Sequence, residues 1–212
     1  TNAHTPKINI SEKEFLDIRS EWLIKNSDLA LIEEYLIKNQ IIDLHPKLAK
    51  HLLDQYLSKA EIGKACNFLS KNLKPLKDEY LSKFNIYCLI KTERKEEAQL
   101  ILDLKKELGF KDKYFEEKIS YLLGYTTEVK KNISEKSILD FHLAHQTNSE
   151  FIFEPEESTD KIIWKYLSSF NLLSSSQEID ISELDKIATL EKATHDKNYS
   201  EEELFELYKR FQ

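Results

Sequence analysis

Residues 48–73 read LAKHLLDQYLSKAEIGKACNFLSKNL, and this stretch decides the fold that the sequence predicts. Apolar residues recur at intervals of three and four on both sides of a short polar turn, which is the spacing of amphipathic helices. Ala65 places a small side chain among large aliphatic ones, so two helix axes can approach closely there. The stretch therefore predicts one helical hairpin.

The same apolar pattern returns further along the chain. Ala98 lies 33 residues after Ala65, and the aliphatic positions recur with it: Leu53, Leu57 and Leu69 correspond to Ile86, Ile90 and Leu102. A period of this length is typical of helical hairpins that stack on one another. We therefore expect an all-α fold, an array of antiparallel helical hairpins that forms an α-α superhelix.

Composition favours helix throughout. The 212 residues include 3 glycines and 4 prolines, too few for the many tight turns of an all-β fold. The abundant Lys, Glu and Leu are good helix formers. Local signals predict about eleven helices, and the sixth, after Arg94, carries Ala98, Ile101, Leu102 and Leu108.

Several residues mark helix ends. Ser11 and Glu14 have the spacing of a capping box, and Pro46 suits the first turn of a helix. Asp112 is a predicted N-cap. Gly109 and Gly124 are predicted left-handed stops at helix C-termini.

The N-termini of two further helices are predicted in the later part of the chain. Ser134 is expected to open the eighth helix, and Ser200 with Glu203 has the spacing of a second capping box.

Helical periodicity is lost between the eighth and ninth helices. Residues 147–158 combine Asn, Ser and Pro with several glutamates, which is typical of a loop or linker. We therefore predict a helical-hairpin repeat region at 1–146, an acidic linker at 147–158, and a C-terminal helical subdomain at 159–212 that continues the array.

The hairpin at 48–73 resembles the tetratricopeptide-like superfamily of helical repeats. The family pattern W-x2-L-G-x2-Y…A-x3-F…P is met here by Ala49, Leu52, Leu53, Tyr56, Ala65, Leu69 and Pro75. Neither this hairpin nor the next has glycine at the small position of its first helix. The resemblance implies a TPR-like α-solenoid, a scaffold that most often binds proteins or peptides.

A second interpretation comes from the bacterial cell envelope. In its general pattern of irregular helical hairpins, the chain looks like the non-catalytic helical arm of a lytic transglycosylase.

The sequence contains no Met, so Thr1 is not a translational start, and we expect a lost leader or a fragment. The sequence is compatible with a soluble protein that is either cytoplasmic or exported to the periplasm.

Charge and hydropathy narrow the class of partner. A formal net charge of −7 repels phosphate backbones, so nucleic acid is not an expected partner. No apolar run approaches the ~20 residues that span a bilayer, so we expect no membrane insertion. The expected partner is a protein or a peptide, and the oligomeric state is left open.

Aromatic residues at helical spacing have two interpretations. Most are expected to pack in the core, but some could line the concave face of a stacked array and anchor a partner. The Phe151-Ile152-Phe153 motif could likewise dock into a partner, or tuck back onto its own helices. The candidate partner-binding residues are Tyr35, Tyr56, Tyr80, Tyr87, Phe151 and Phe153.

The sequence offers little for catalysis. Glycine occurs only at 63, 109 and 124, which excludes G-x-S-x-G and glycine-rich phosphate loops. His142 and His145 lie three apart and could share a metal, although we expect one at the core edge and the other in water. We predict no enzyme, no metal and no cofactor, with a helical metal-dependent enzyme as the remaining alternative.

The two cysteines, Cys66 and Cys88, lie on apolar faces of different predicted helices. Burial as free thiols is the expected outcome, and a mutual disulfide is the alternative.

Overall fold

The structure, a computed structural model, describes residues 10–72, 74–156, 158–173, 179–197 and 199–211. Within these ranges the chain forms eleven α-helices and one short 3-10 helix, with no strand. The all-α prediction is therefore confirmed for the described residues, while the superhelical stacking of hairpins stays a prediction. The helices are α1 Glu12–Asn26, α2 Leu29–Lys38, α3 Pro46–Ser58, α4 Ile62–Ser70, α5 Glu79–Lys91, α6 Lys95–Glu107, α7 Lys113–Leu123, α8 Ile138–Gln146, α9 Lys161–Ser169, α10 Leu184–His195 and α11 Glu201–Lys209, with the 3-10 helix at Ile42–Leu44.

Most predicted helix ends are confirmed. The Ser11 hydroxyl accepts from the Glu14 N–H at 3.2 Å, and the Glu14 carboxylate accepts from the Ser11 N–H at 2.8 Å. Pro46 is the first residue of α3. Gly109 and Gly124 follow α6 and α7 with φ of 95° and 84°, the left-handed conformation that glycine adopts without strain.

One further predicted N-terminus is corrected and one is confirmed. Ser137, not Ser134, caps α8, because its hydroxyl accepts from the Asp140 N–H at 3.1 Å. Ser200 caps α11 as predicted, since its hydroxyl accepts from the Glu203 N–H at 3.4 Å, and the same hydroxyl donates to the Glu202 carboxylate at 3.2 Å. Closely spaced Ser and Glu residues offered alternatives that the sequence pattern alone did not separate.

The chain divides into two compact units. The first comprises the described parts of residues 1–56 and 62–126, and the second those of 57–61 and 127–212. The acidic stretch at 147–158, where the sequence predicts a boundary, falls within the second unit's range.

Helix α5 organises the first unit. It contacts α4, α6 and α7, and most of its side chains are buried. Ala65 on α4 and Ala98 on α6 have no exposed surface, as the close approach of helices requires. The small residues that suggested a repeat are therefore core residues of this unit.

The second unit contains two helix pairs. Helix α8 contacts α9, and α10 contacts α11. One apolar cluster of this unit is formed by Trp164, Ile179, Ile187, Leu190, Ala193, Tyr199 and Leu207.

The two cysteines correct the prediction of free thiols. Cys66 on α4 and Cys88 on α5 form a disulfide, with their Cα atoms 5.2 Å apart and both side chains buried. The sequence shows that each cysteine lies on an apolar face, but only the packing of α4 against α5 brings the two together.

No helix in the described part of the chain combines the length and apolar character that crossing a bilayer requires.

Candidate partner-binding groove

A groove with a volume of about 930 Å³ lies in the first unit. It runs between the end of α4, one face of α5 and one face of α6, and the α4–α5 connection forms one rim. Its described apolar lining includes Leu69, Ile86, Ile101, Leu104, Leu108 and Phe110. A volume of this size is at the upper end of the ~300–1,000 Å³ typical of ligand pockets.

The apolar lining is buried at its floor and exposed along α6. Ile86 and Leu69 are 1% and 3% exposed, whereas Leu104 is 49% and Leu108 is 84% exposed. Leu108 is the C-cap of α6 and follows Leu104 by four residues, so the two lie on the same side of the helix end. The groove thus presents apolar surface to solvent that no described residue covers.

The rim is held in place by side-chain hydrogen bonds. The Lys105 ammonium donates to the Leu76 carbonyl at 3.0 Å, and the Ser82 hydroxyl lies 3.0 Å from the same carbonyl oxygen and 2.7 Å from that of Asp78. The Lys77 backbone N–H donates to Asp43 at 3.0 Å. Because the connection is tied to α5, to α6 and to the 3-10 helix, the groove is formed before any partner arrives.

The groove is basic although the chain is acidic. Its described lining includes four lysines and one acidic residue, Glu79. Lys83 pairs with Asp112, with Nζ and Oδ2 2.7 Å apart. The Lys105 ammonium instead contacts a backbone carbonyl, and no carboxylate of the described residues forms an ion pair with it.

Two further lysines of the groove, Lys74 and Lys77, are exposed on the rim. Neither ammonium has an ion-pair partner within the ranges that the structure describes. A partner that carries carboxylates would therefore meet positive charge here.

Two of the predicted aromatic residues are core residues of the first unit. Tyr87 has no exposed surface, and Tyr56 is 5% exposed. Burial raises the pKa of Tyr87 above its usual range, because the phenolate would be desolvated. Because they are buried, these two tyrosines do not present the exposed aromatic surface that the sequence-based prediction assigned to them.

The other two tyrosines are half-buried and make contacts within the first unit. The Tyr35 hydroxyl lies 3.1 Å from His45 Nε2, and burial raises the pKa of Tyr35. The Tyr80 hydroxyl donates to Asp54, and the Lys50 ammonium lies 4.7 Å from the centre of the Tyr80 ring. None of the four tyrosines lines the groove.

The Phe151-Ile152-Phe153 motif tucks back onto α8, as one of its two interpretations had it. The rings of Phe151 and Phe153 meet the Phe141 ring edge-on, with centroids 5.4 and 4.9 Å apart. Only Ile152 is well exposed, at 77%.

His142 and His145 converge on one hydroxyl rather than separating between core and water. The Nδ1 atoms of His142 and His145 lie 2.6 and 2.7 Å from the Tyr166 oxygen. His142 is fully buried, and burial lowers the pKa of the half-buried His145. Because Tyr166 has a single proton, a neutral pair needs one Nδ1 as donor and the other as acceptor.

This arrangement gives both histidines a structural partner. Within the described ranges, no group of three or more His, Cys, Asp or Glu residues is placed to hold a metal ion. The histidines and Tyr166 connect α8 to α9 in the second unit.

Sequence reasoning missed the groove because it searched for aromatic residues. The groove is lined mainly by leucine, isoleucine and lysine. One signal was present: Leu104 on α6 and Leu108 at its C-cap lie on a face different from that of the buried Ala98 and Leu102. A helix with two apolar faces has one more than its core packing requires.

The second unit has a smaller cavity of about 230 Å³. Trp164 and Leu190 contribute apolar surface, and Glu154, Glu156 and Asp185 contribute negative charge. Lys186 reduces this charge by pairing with Glu154 and Glu183, at 3.5 and 3.0 Å.

A scan against protein-family models finds no match for this chain, and searches of curated proteins and of solved structures find none.

Proposed function

We propose that this chain is a non-enzymatic scaffold that binds a protein or peptide partner through the groove of its first unit. The observation that carries the proposal is the exposed apolar lining, above all Leu104 on α6 and Leu108 at its C-cap. Exposed apolar residues grouped in a concave surface are typical of binding sites. The resemblance to TPR-like repeats, which commonly bind peptides, is in keeping with this proposal.

The groove supports binding without a large ordering cost. Its rim is tied down by the Leu76 carbonyl contacts, and its two long walls are helices. A scaffold that is already ordered loses little conformational entropy when a partner segment arrives, so more of the contact energy remains as affinity.

The proposal is tested with a labelled helical peptide that has leucines along one face, titrated by fluorescence anisotropy. The double variant Leu104→Glu/Leu108→Glu places two charges in the groove and should weaken binding at least tenfold. The matched control is Ile18→Glu/Leu31→Glu, which adds two charges at residues that are 57% and 55% exposed and do not line the groove. Equal binding by all three proteins would contradict the proposal.

The alternative function, the non-catalytic helical arm of a bacterial cell-envelope enzyme such as a lytic transglycosylase, is favoured by one observation. The Cys66–Cys88 disulfide is a kind of bond that persists in the periplasm and outside cells and is rare in the reducing cytoplasm. Such a disulfide would persist, and would stabilise the fold, in either an exported scaffold or the arm of an envelope enzyme.

Thiol labelling in the cells that produce the protein tests this alternative. Rapid acid quenching, alkylation and mass spectrometry should find Cys66 and Cys88 unlabelled if the chain works in an oxidising compartment. Quantitative labelling of both cysteines would count against the envelope interpretation and leave the binding proposal in place.

A further inference from the structure

We infer that the groove takes an amphipathic helix that bears acidic residues beside its apolar face, supplied by another protein. This inference rests on the proposed function and adds the chemistry of the partner. The groove carries a charge of the sign opposite to that of the chain as a whole.

The positive charge is concentrated at one edge of the groove. Lys74 and Lys77 lie on the α4–α5 rim, and Lys105 extends from α6 to the same rim, where its ammonium reaches the Leu76 carbonyl. The only acidic residue in the described lining is Glu79. The groove therefore has a local positive charge, although the whole chain has a net charge of −7.

The apolar residues of the groove lie beside these charges. Ile101 and Leu104 on α6 and Leu108 at its C-cap follow one another at intervals of three and four residues. Such a row packs well against a second helix, because side chains at the same intervals on the partner fill the spaces between them. Leucine or phenylalanine on the partner would contact this row, and Glu or Asp beside them would meet the lysines.

Other anions fit the groove less well. A nucleic acid or an inorganic phosphate would use the lysines but leave the apolar lining in contact with water. The lysine ammonium groups also lack the planar fork with which arginine binds phosphate in bidentate fashion, and no arginine lines the described groove. A segment that is both apolar and acidic uses the two parts of the surface together.

The experiment compares two model peptides with the same leucine face, each of about 21 residues so that helices form. One carries glutamate at every other surface position, and the second carries lysine there. Each is labelled at its N-terminus and titrated with the full chain by fluorescence anisotropy. The acidic peptide should bind at least tenfold more tightly than the basic one, although the net charge of the chain favours the opposite order.

The lysine contribution is isolated with the double variant Lys74→Glu/Lys77→Glu. It should weaken binding of the acidic peptide roughly tenfold and reduce its dependence on salt between about 50 and 500 mM, since charge contacts are screened. The matched control is Lys25→Glu/Lys91→Glu, which makes the same charge change at two exposed lysines outside the groove. Circular dichroism verifies that both variants remain helical.

The outcomes separate this inference from the proposed function. If Leu104→Glu/Leu108→Glu abolishes binding but both peptides bind equally, the groove is a binding site and the acidic partner is wrong. If the acidic peptide binds equally to the rim variant and to its control, the lysines are not the recognition element and the inference is also overturned. Tighter binding of a single-stranded oligonucleotide, or dimerisation of the chain through the groove in sedimentation velocity, would likewise overturn it.

Discussion

Tyr166 connects two helices of the second unit through one oxygen atom. Its hydroxyl lies within hydrogen-bond distance of both His142 and His145, and its side chain is fully buried. The ring also packs against Phe170, with centroids 4.2 Å apart. The hydroxyl and the ring therefore contribute separately to the contact between α8 and the segment that includes α9.

We expect Tyr166→Phe to keep the ring contacts but lose both hydrogen bonds. The free energy of unfolding should fall by roughly 1–3 kcal/mol, because buried imidazole nitrogens lose their partner. Urea denaturation followed by circular dichroism measures this change. Tyr125→Phe serves as the control, since Tyr125 is 63% exposed, and its effect should be close to zero. An equal loss in the two variants would show that the Tyr166 hydroxyl contributes nothing specific.

The hydrogen bonds of His45 define its neutral tautomer. The Ser20 hydroxyl donates its one proton to the Leu16 carbonyl at 2.8 Å, so it must accept from His45 Nδ1 at 2.9 Å. Nε2 is then the acceptor for the Tyr35 hydroxyl. Burial, and next the charge of Arg19, lower the pKa of His45. The folded chain therefore favours the neutral form of this imidazole.

We expect stability to fall as the pH decreases from about 7 to 5. His45 and His145 have lowered pKa values when folded, so below about pH 6.5 the unfolded chain binds more protons than the folded one. Each histidine can contribute a slope of at most about 1.4 kcal/mol per pH unit. Urea unfolding at several pH values measures this slope.

The double variant His45→Gln/His145→Gln should reduce the pH slope, whatever its effect on stability at pH 7. His195→Gln is the control, because it removes an imidazole that is 89% exposed and lies 3.5 Å from the Asp196 carboxylate. A slope that is the same in all three proteins would mean that other groups produce the acid sensitivity.

At the scale of elements, Asp112 has two roles at the start of α7. Its Oδ1 accepts from the Phe115 N–H at 3.0 Å, and its Oδ2 pairs with the Lys83 ammonium from α5. Lys83 is 7% exposed, so this ion pair is more sheltered than the surface pairs of the chain. One side chain thus both caps a helix and ties it to the central helix of its unit.

We expect Asp112→Ala to lower the free energy of unfolding by about 2–4 kcal/mol, because a cap and a sheltered ion pair are lost together. Asp112→Asn keeps a good cap and loses only the charge, so it should cost about 1 kcal/mol less. Asp28→Ala, at the exposed cap of α2, should cost only about 1 kcal/mol. Thermal or urea unfolding of the three variants measures these differences, and equal costs would argue against the double role.

Elements were predictable where the signal is local. Ser11, Pro46, Asp112 and Gly124 act on residues at most four positions away, so their roles could be inferred from the sequence. The Cys66–Cys88 disulfide depends on how two helices pack, which spacing along the chain does not determine. The groove was missed for the same reason: Leu104 and Leu108 become exposed only because nothing described packs on that face of α6.

At the scale of the whole molecule, two compact units imply that unfolding need not be a single event. Each unit has buried residues of its own, with α5 at the centre of the first and the Trp164 cluster in the second. Two-state behaviour is the usual outcome for one small domain rather than for two. We therefore expect two transitions in differential scanning calorimetry.

Reduction of the disulfide should move only one of the two transitions. The bond closes a loop between α4 and α5 in the first unit, with a sequence separation of 22, and such a loop contributes about 3 kcal/mol in chain-entropy estimates. A reductant should lower the midpoint of the first unit's transition and leave the other unchanged. In the Cys66→Ala/Cys88→Ala variant the reductant should have no effect. A single transition that shifts as a whole would show that the units unfold together.

The position of the disulfide also determines what a protease can do to the groove. The cross-linked cysteines at 66 and 88 enclose the α4–α5 connection in a covalent ring. Trypsin should cut this connection after Lys71 or Lys77, whereas Pro75 protects the bond after Lys74. The cleaved chain should migrate as one species on a non-reducing gel and as two fragments once thiols are added. A nick at the groove's edge would therefore leave the two halves of the chain tied together.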